Sequence, residues 1–234
     1  MLTKNHIKLI RSLSLKKNRL KYGLFVVEGE KLVNEVIASD WEIESVYATK
    51  DWIGQQAILI SDKELSRISS LKTPNKVLAL VKIKLLPFSI SGDTVIALDG
   101  VKDPGNLGTI IRTADWFGVS DIICSTDSVD YLNSKVIQST MVSFCRVNVH
   151  YTDLKNAFNG NKDYSLMFTT LRGKSLKELK GTKKKIIVFG GEANGISQTI
   201  LELNGENITI DKPKDVETES LNVAIATAII LSHV

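Results

Sequence analysis

The hydrophobic positions after residue 93 switch repeatedly between the period of a strand and the period of a helix. Short apolar and β-branched runs that end in turn residues predict six strands: TVIALDG (94–100), DIICS (121–125), RVNVH (146–150), YSLMFTT (164–170), KIIVFGG (185–191) and NITI (207–210). Apolar residues at helical spacing predict helices over residues 106–118, 133–143, 153–159, 196–203 and 220–233. This alternation predicts an α/β fold with a parallel sheet covered by helices on both faces.

A different pattern precedes residue 93. It predicts a basic helix, then a strand, a helix and three short strands in YGLFVVEG (22–29), EKLVNEVIAS (30–39), IESVYAT (43–49), AILIS (57–61) and VLALVKI (77–83). The segment LLPFSISGD (85–93) is typical of a linker, because it combines a proline with small polar residues. We therefore predict a small α/β domain over residues 1–90 and a larger one over residues 91–234.

Charge is concentrated in the front part of the chain. Residues 1–92 hold fifteen Lys and Arg against nine Asp and Glu, and the first 21 residues hold seven cations and no acid. Such a segment attracts a polyanion such as nucleic acid, although a solvated surface helix accounts for the charge equally well. The cations that we assign to RNA binding are Lys16, Lys17, Arg19 and Lys21.

Other classes of protein are disfavoured. No run approaches the ~20 apolar residues that a membrane helix needs, and the N-terminus lacks the apolar core of a secretory signal. Cys124 and Cys145 lie in apolar runs without paired spacing, so we expect neither a disulfide nor a metal site. The sequence predicts a cytoplasmic protein with a hydrophobic content, 43%, that can form a core.

Candidate chemistry begins in KDPGNLGTIIRTAD (102–115), directly after the first strand of the larger domain. Parallel sheets bind ligands beyond the carboxyl ends of their strands, which is where this segment lies. Asn106 is well placed to cap the following helix. Arg112 lies off the apolar side of that helix, so its guanidinium could enter the cleft or could instead pair with Asp115 on the surface.

Two further segments carry polar residues in unusual surroundings. In GGEANGIS (190–197), the lone acid Glu192 stands among glycines after a buried strand. In ESLNVAIATAIILSHV (219–234), Ser220 can cap a helix that is apolar almost all round, and Asn222 is the polar exception in its first turn. Such a helix is predicted to be buried on more than one side, for example against a second subunit.

Together, the three segments resemble the SpoU (TrmH-like) family of RNA 2′-O-ribose methyltransferases within the SPOUT superfamily. The matching residues are, in order, Asn106 and Arg112, then Gly190, Glu192 and Gly195, then Ser220, Leu221 and Asn222. The resemblance covers the whole chain. It implies S-adenosylmethionine as methyl donor, a deep C-terminal trefoil knot, a homodimer whose active site draws on both subunits, and an L30e-like RNA-binding domain at the front.

The resemblance also implies roles for individual residues. The catalytic set is Asn106, Arg112, Glu192, Ser220 and Asn222. The cofactor-binding set is Thr169, Gly190, Gly191, Ile210 and Leu221. We interpret Arg112 as a clamp for the phosphate beside the target ribose that also stabilises the developing alkoxide, and Glu192 as a group that orders the loop or Arg112. His6, His150 and His233 all fall outside the residues that match the family motifs, so the general base is not identified.

Several positions depart from the family pattern. Ile210-Asp211-Lys212 stands for Ile-Pro-Met, Gln138 and Val142 stand for Arg and Gly, and Ala224 stands for Ser. These changes favour one alternative, a non-catalytic RNA-binding or ribosome-assembly protein that retains the fold. A second alternative, a nucleotide-binding dehydrogenase or transferase, expects a G-x-G-x-x-G turn that GVKDPGNLG lacks. The basic front domain favours rRNA over tRNA as substrate, and we expect no DNA partner.

Overall fold

A computed structural model of the chain describes residues 2–54, 56–85, 87–178, 184–213 and 215–234. Contacts between residues divide it into two compact units. Unit 1 comprises residues 1–86 and 132–145, and unit 2 comprises residues 87–131 and 146–234. No helix in the described part of the chain is long and apolar enough to cross a membrane.

The helices and strands follow one another in a regular order. The helices are α1 Lys4–Ser12, α2 Lys16–Tyr22, α3 Glu30–Ala38, α4 Asp62–Ile68, α5 Pro104–Trp116, α6 Ser134–Thr140, α7 Leu154–Gly160, α8 Gln198–Leu201 and α9 Val223–Leu231. The strands are β1 Leu24–Glu28, β2 Ile43–Ala48, β3 Ile58–Leu59, β4 Val77–Lys82, β5 Thr94–Asp99, β6 Asp121–Cys124, β7 Asn148–Tyr151, β8 Ser165–Ser175, β9 Lys185–Gly190 and β10 Glu206–Thr209. The elements predicted from hydrophobic periodicity are therefore present, with shifted ends.

Unit 1 is built on a four-stranded sheet in the order β1-β4-β2-β3. Strand β4 runs antiparallel to β1 and β2, whereas β3 runs parallel to β2. One face of this sheet packs on α1 and α4 through a cluster that includes Ile10, Leu13, Leu65, Leu78 and Leu80. The predicted single basic helix is two helices, and α4 was not predicted.

Unit 1 also contains residues 132–145, which lie between β6 and β7 in the chain. The Phe144 ring meets the rings of Phe25 and Trp41 edge to face, with centroids 6.1 and 5.8 Å apart. Gln138 Nε2 donates to the Glu28 carbonyl at 2.9 Å. The β6–β7 connection is thus packed with the front part of the chain through an aromatic cluster and a hydrogen bond.

Helix α6 ends in an unusual turn. Met141 and Val142 have φ values of 47° and 83°, in the left-handed region that glycine adopts most easily. Val142 is buried and β-branched, so its backbone conformation is strained. The family pattern has glycine at this position. Valine in its place adopts the same left-handed turn, but at a cost in backbone strain.

Unit 2 is built on a six-stranded sheet in the order β10-β8-β9-β5-β6-β7, in which every neighbouring pair is parallel. The prediction of an α/β fold with a parallel sheet is confirmed. From β5 the chain proceeds through β6 and β7 on one side, and the later strands lie on the other. The order therefore reverses between β5 and β9, and doubly wound sheets bind ligands outside the carboxyl ends of the strands at such a reversal.

Strand β8 is longer and less regular than predicted. Its partner β10 pairs the consecutive residues Asn207 and Ile208 with Phe168 and Lys174, so residues 169–173 bulge out of the ladder. Gly173 lies in this bulge, where an added Cβ would come within 2.5 Å of the Asn207 carbonyl oxygen. The bulge places Thr169 at the point where β8 leaves its pairing with β9, which ends at Phe168.

Candidate active site

The reversal between β5 and β9 brings two of the singled-out loops together. These strands pair along their whole lengths, up to Asp99 and Gly190, and Gly191 N donates to the Asp99 carbonyl at 2.7 Å. A Cβ added at Gly190 would lie 2.0 Å from the Gly195 carbonyl carbon, and one added at Gly191 would lie 2.2 Å from the Gly100 oxygen. Glycine at position 190 therefore lets its loop fold back on itself, and glycine at position 191 lets the two loops approach each other closely.

The N-cap of α5 is Asp103, and the prediction that Asn106 caps this helix is wrong. Asp103 Oδ1 accepts from Asn106 N at 2.9 Å, and Pro104 occupies the first helical position. A proline there needs no hydrogen-bond partner for its nitrogen and has a suitable φ. Because Asp103 makes the cap, the side-chain amide of Asn106 is available for other contacts.

That amide joins the three segments. Asn106 Nδ2 donates to Glu192 Oε1 at 2.6 Å, and Asn222 Nδ2 donates to Asn106 Oδ1 at 2.9 Å. Asn222 Oδ1 in turn accepts from the backbone N–H groups of Ala224 and Ile225. This hydrogen-bond chain, Glu192–Asn106–Asn222, links loops that are separated by 86 and 116 residues in sequence.

The carboxylate of Glu192 also faces the backbone of the loop after β5. Its Oε2 accepts from Lys102 N at 3.4 Å. Partial burial raises the pKa of Glu192, but the hydrogen bonds from Asn106 and from backbone N–H groups outweigh it and hold this pKa below its ordinary value. Glu192 is therefore ionised at neutral pH, and it acts as a hydrogen-bond acceptor.

Arg112 is exposed on α5. Within the described part of the chain, its guanidinium has no hydrogen bond or ion pair. The alternative partner, Asp115, is instead held by Arg146, whose Nε and Nη2 donate to its carboxylate at 3.0 and 2.6 Å. The surface pairing of Arg112 with Asp115 is therefore wrong, and the Arg112 guanidinium is available to a ligand.

The C-terminal helix begins later than predicted. Asn222 is its N-cap and Val223 its first residue, so the prediction that Ser220 caps the helix is wrong. Ser220 and Leu221 lie in the irregular segment before the helix, and both are exposed. Ser220 and Asn222 are both residue types that cap helices well. The cap is Asn222, whose side chain also donates to Asn106.

Four of the five predicted cofactor residues lie at or directly after the carboxyl ends of the paired parts of β8, β9 and β10, whereas Leu221 directly precedes the cap of α9. Thr169 Oγ1 donates to the Val188 carbonyl at 2.9 Å, which joins the start of the β8 bulge to β9. Ile210 directly follows β10 and is half-buried, and Leu221 is 48% exposed. Because the sheet is parallel, Thr169, Gly190, Gly191 and Ile210 all lie towards its carboxyl edge.

Two cavities of unit 2 lie at the other edge. One is lined by residues that include Thr94 and Ser120, and the second by residues that include Ser165 and Glu206. These residues belong to the amino-terminal ends of β5, β6, β8 and β10 or directly precede them. Parallel sheets bind ligands at the opposite, carboxyl edge, so we do not assign these cavities to the active site.

Unit 1 presents three of the four predicted RNA-binding cations to solvent. Lys16, Lys17 and Lys21 are exposed on α2, and Lys21 Nζ lies 5.4 Å from the centroid of the Tyr22 ring. Arg19 requires a correction, because it is buried and its Nη1 donates to the carbonyls of Leu13 and Ser14 at 2.8 and 2.9 Å. Its guanidinium supports the α1–α2 turn rather than a ligand.

Comparison with known proteins assigns a family to both parts of the chain. Residues 93–232, more than half of the chain, match the SpoU rRNA Methylase family. Residues 4–79 match the MRM3-like substrate binding domain.

Relatives match over nearly the whole length. The 23S rRNA (guanosine(2553)-2′-O)-methyltransferase RlmP of Bacillus subtilis is 28% identical over 95% of this chain and 93% of its own. A putative RNA methyltransferase of the TrmH family from Porphyromonas gingivalis is 33% identical, with a TM-score of 0.90 over 100% of this chain and 98% of its own. An AdoMet-bound rRNA methyltransferase from Sinorhizobium meliloti is 28% identical, with a TM-score of 0.88 over 100% and 95%. The chain belongs to the SpoU rRNA methylase family, as its three sequence segments predicted.

Proposed function

We propose that this protein transfers the methyl group of S-adenosylmethionine to the 2′-hydroxyl of a ribose in structured RNA, with rRNA as the favoured substrate. The observation that carries the proposal is the Glu192–Asn106–Asn222 hydrogen-bond chain, which joins residues from all three family segments at one sheet edge. The relatives support it, since the Bacillus subtilis protein is named as an rRNA 2′-O-methyltransferase and the Sinorhizobium meliloti structure contains AdoMet.

The residues at the carboxyl edge fit the methyl donor. An adenine ring is bound by apolar contacts and by backbone donors and acceptors, and half-buried Ile210, exposed Leu221 and the loop backbone at Gly190 supply both. When bound, the donor would supply an electrophilic sulfonium methyl: its carbon–sulfur bond would break as the ribose oxygen takes the methyl, leaving a neutral thioether, and the hydroxyl proton would pass to water. Every other contribution comes from the protein's own groups.

The main contribution of these groups is positioning. A reacting pair held in line can gain effective molarities of ~10⁵ M or more. We propose that Glu192 orders Asn106 and the loop after β5, because both of its oxygens already accept hydrogen bonds and its pKa is lowered, which makes it a weak proton acceptor. Asn106 and Asn222, with Ser220 beside them, then orient the ribose.

We propose that Arg112 clamps the phosphate beside the target ribose and stabilises the developing alkoxide. Its exposed guanidinium offers the planar pair of donors that recognises phosphate. Arg112→Ala should lower the methylation rate strongly. Arg112→Lys keeps the positive charge but loses the planar pair of N–H donors, so this variant should recover only part of the rate. An unchanged rate for Arg112→Ala would show that this assignment is wrong.

We further propose the quaternary and topological features that the family resemblance implies: a deep trefoil knot, an L30e-like fold for residues 1–90 with the methyltransferase domain at 91–234, and a cytoplasmic homodimer. The surface of α9 supports a dimer, since Ile225 is 53% exposed and Ala226, Ala228 and Ile229 are only half-buried on an almost wholly apolar helix. A second subunit covering this face would remove apolar surface from water.

Two measurements test the proposal. Calorimetric titration of the pure protein with S-adenosylmethionine should show micromolar-scale binding without RNA, and no binding would count against it. Transfer of tritiated methyl groups to bulk RNA then separates the enzyme from the alternative, a non-catalytic RNA-binding protein with the same fold. That alternative predicts RNA binding with no incorporated label.

A further inference from the structure

The loop after β6 is hydrogen-bonded to the loop after β5 that carries the candidate site. Ser125 Oγ accepts from Gly100 N at 2.8 Å, and Val129 N donates to the Val101 carbonyl at 2.9 Å. Ser125 is buried, and its hydroxyl also lies 2.9 Å from that of Ser128. The backbone of residues 100–101 is therefore hydrogen-bonded to residues 125–129, the loop after β6. This loop is not part of any of the three family segments.

Asp127 connects this buried hydroxyl to Lys102. Ser125 Oγ donates to Asp127 Oδ1 at 2.6 Å, and Lys102 Nζ donates to Asp127 Oδ2 at 2.6 Å. Lys102 Nζ also donates to the Asp127 backbone carbonyl, so the ammonium group is held at two points. The hydrogen bond from Lys102, followed by that from Ser125, holds the pKa of Asp127 below its ordinary value.

The loop after β5 also donates hydrogen bonds to Glu192. Lys102 donates through its backbone N–H to Glu192 Oε2, and four residues later Asn106 donates to Glu192 Oε1. Gly100 starts the loop with a φ of 74°, in the left-handed region. The position of Glu192 and the start of α5 therefore both depend on a turn whose conformation is fixed by Ser125, Asp127 and the Lys102 side chain.

The Lys102–Asp127 pair has little to contribute to global stability. Its side chains are 60% and 62% exposed, and exposed ion pairs are screened by solvent. We propose that Ser125, Asp127 and Lys102 are positioning residues for methyl transfer, which hold the turn at residues 100–103 so that Asn106 and Glu192 keep their reactive arrangement. This inference rests on the proposed function.

Asp127→Ala tests the inference. Because small displacements of a reacting pair cost about tenfold or more in rate, kcat should fall about tenfold, whereas the KM values for S-adenosylmethionine and RNA should stay the same. Asp127→Asn keeps an oxygen for Ser125 and should recover part of kcat. Lys102→Met and Asp127→Ala share one broken contact, so the double variant should lose less kcat than the product of the two single losses.

Asp163→Ala is the matched control. Asp163 pairs with Lys184 at 2.7 Å with side chains 58% and 46% exposed, and both residues precede the strands whose carboxyl ends form the site. This change should leave kcat unaltered. An unchanged kcat for Asp127→Ala, an effect confined to a raised KM, or an equal fall in kcat for Asp163→Ala would overturn the inference. Absence of methyl transfer by the unaltered protein would instead refute the proposed function, so the two failures are distinguishable.

Discussion

Replacing Asn106 by aspartate alters one contact of the hydrogen-bond chain, although the two side chains have nearly the same shape. Asn106 Nδ2 lies 2.6 Å from Glu192 Oε1, so the change places two carboxyl groups where a donor met an acceptor. Two carboxylates at this distance cannot both remain ionised in place. Either one of them binds a proton with a raised pKa, or the loop that carries Glu192 moves away.

The expected loss is larger in rate than in stability. A charge-assisted hydrogen bond is worth about 1.5–3 kcal/mol when buried, and solvent screening reduces this to about 1 kcal/mol for side chains as exposed as these. A shift of about 1 Å in a reacting pair can cost 10²-fold in rate. We therefore expect Asn106→Asp to lower kcat roughly 100-fold with only a small change in thermal stability.

The structure provides a control at the equivalent position of another helix. Asn156 is the third residue of α7, and its N–H donates to the N-cap Asp153 at 2.8 Å, just as Asn106 N donates to Asp103 at 2.9 Å. Asn156→Asp therefore adds the same charge to the same turn of a helix, where an acid is mildly favourable. In steady-state tritiated methyl transfer, this variant should match the unaltered protein.

The pH dependence gives a second readout of Asn106→Asp. Because the paired carboxyl groups share a proton more readily as pH falls, the rate of this variant relative to that of the unaltered protein should rise from pH 8 to pH 6. An equal rate for Asn106→Asp and Asn156→Asp would refute the claim that the contact with Glu192 orders the site.

Substitutions at three further positions test other parts of the structure. Asn222→Asp keeps the cap of α9 but loses the donor to Asn106, so activity should fall at unchanged stability, whereas Asn222→Ala should also lose about 1 kcal/mol of cap energy in urea unfolding. Met141→Gly should stabilise the protein by about 0.5–1 kcal/mol, since the residue is 40% exposed at a φ of 47°, and Met141→Ala should give no such gain. Hydrogen bonds from Ser61 N, and then from Leu2 N and the Ser61 hydroxyl, lower the pKa of Glu64 from 4.5 to about 2, so its contribution to stability is complete above pH 4.5 and is lost as pH falls towards 2. Glu64→Gln should flatten that part of the stability profile, and an unchanged profile would contradict the assignment.

Periodicity and local signals predicted most of the sheet, yet several helix ends were misplaced for identifiable reasons. Asn106 and Asp103 are both good N-caps, and Pro104 at the first helical position was the signal that favoured Asp103. Helix α4 was missed although Ser61 and Glu64 form a capping box that is visible in the sequence. In both cases the information was local, and attention to capping would have found it.

Other features depend on contacts between distant residues. The packing of residues 132–145 with unit 1 follows from the meeting of Phe144 with Phe25 and Trp41, which no local pattern indicates. The buried position of Arg19 depends on two carbonyls of the preceding turn. Charge alone placed Arg19 with the neighbouring lysines, although a guanidinium can serve as an internal donor as well as a surface cation.

The family segments indicated which polar residues meet at the candidate site, whereas their catalytic and cofactor-binding roles stay predictions. In the structure Asn106 is hydrogen-bonded to both Glu192 and Asn222, which joins residues of all three segments. The supporting contacts of Asp103, Lys102 and Asp127 were not predicted, because they depend on how the loop after β6 meets the loop after β5.

The central claim is that this site places a methyl group on a ribose oxygen of RNA. Its most direct test is reaction of the purified protein with isotopically labelled S-adenosylmethionine and rRNA from a strain that lacks the gene, followed by mass spectrometry of the nucleosides. The account predicts label in one kind of 2′-O-methylated nucleoside, incorporated much more slowly by Asn106→Asp and at the unaltered rate by Asn156→Asp. Label on a base, or no label in RNA that the protein binds, would contradict it.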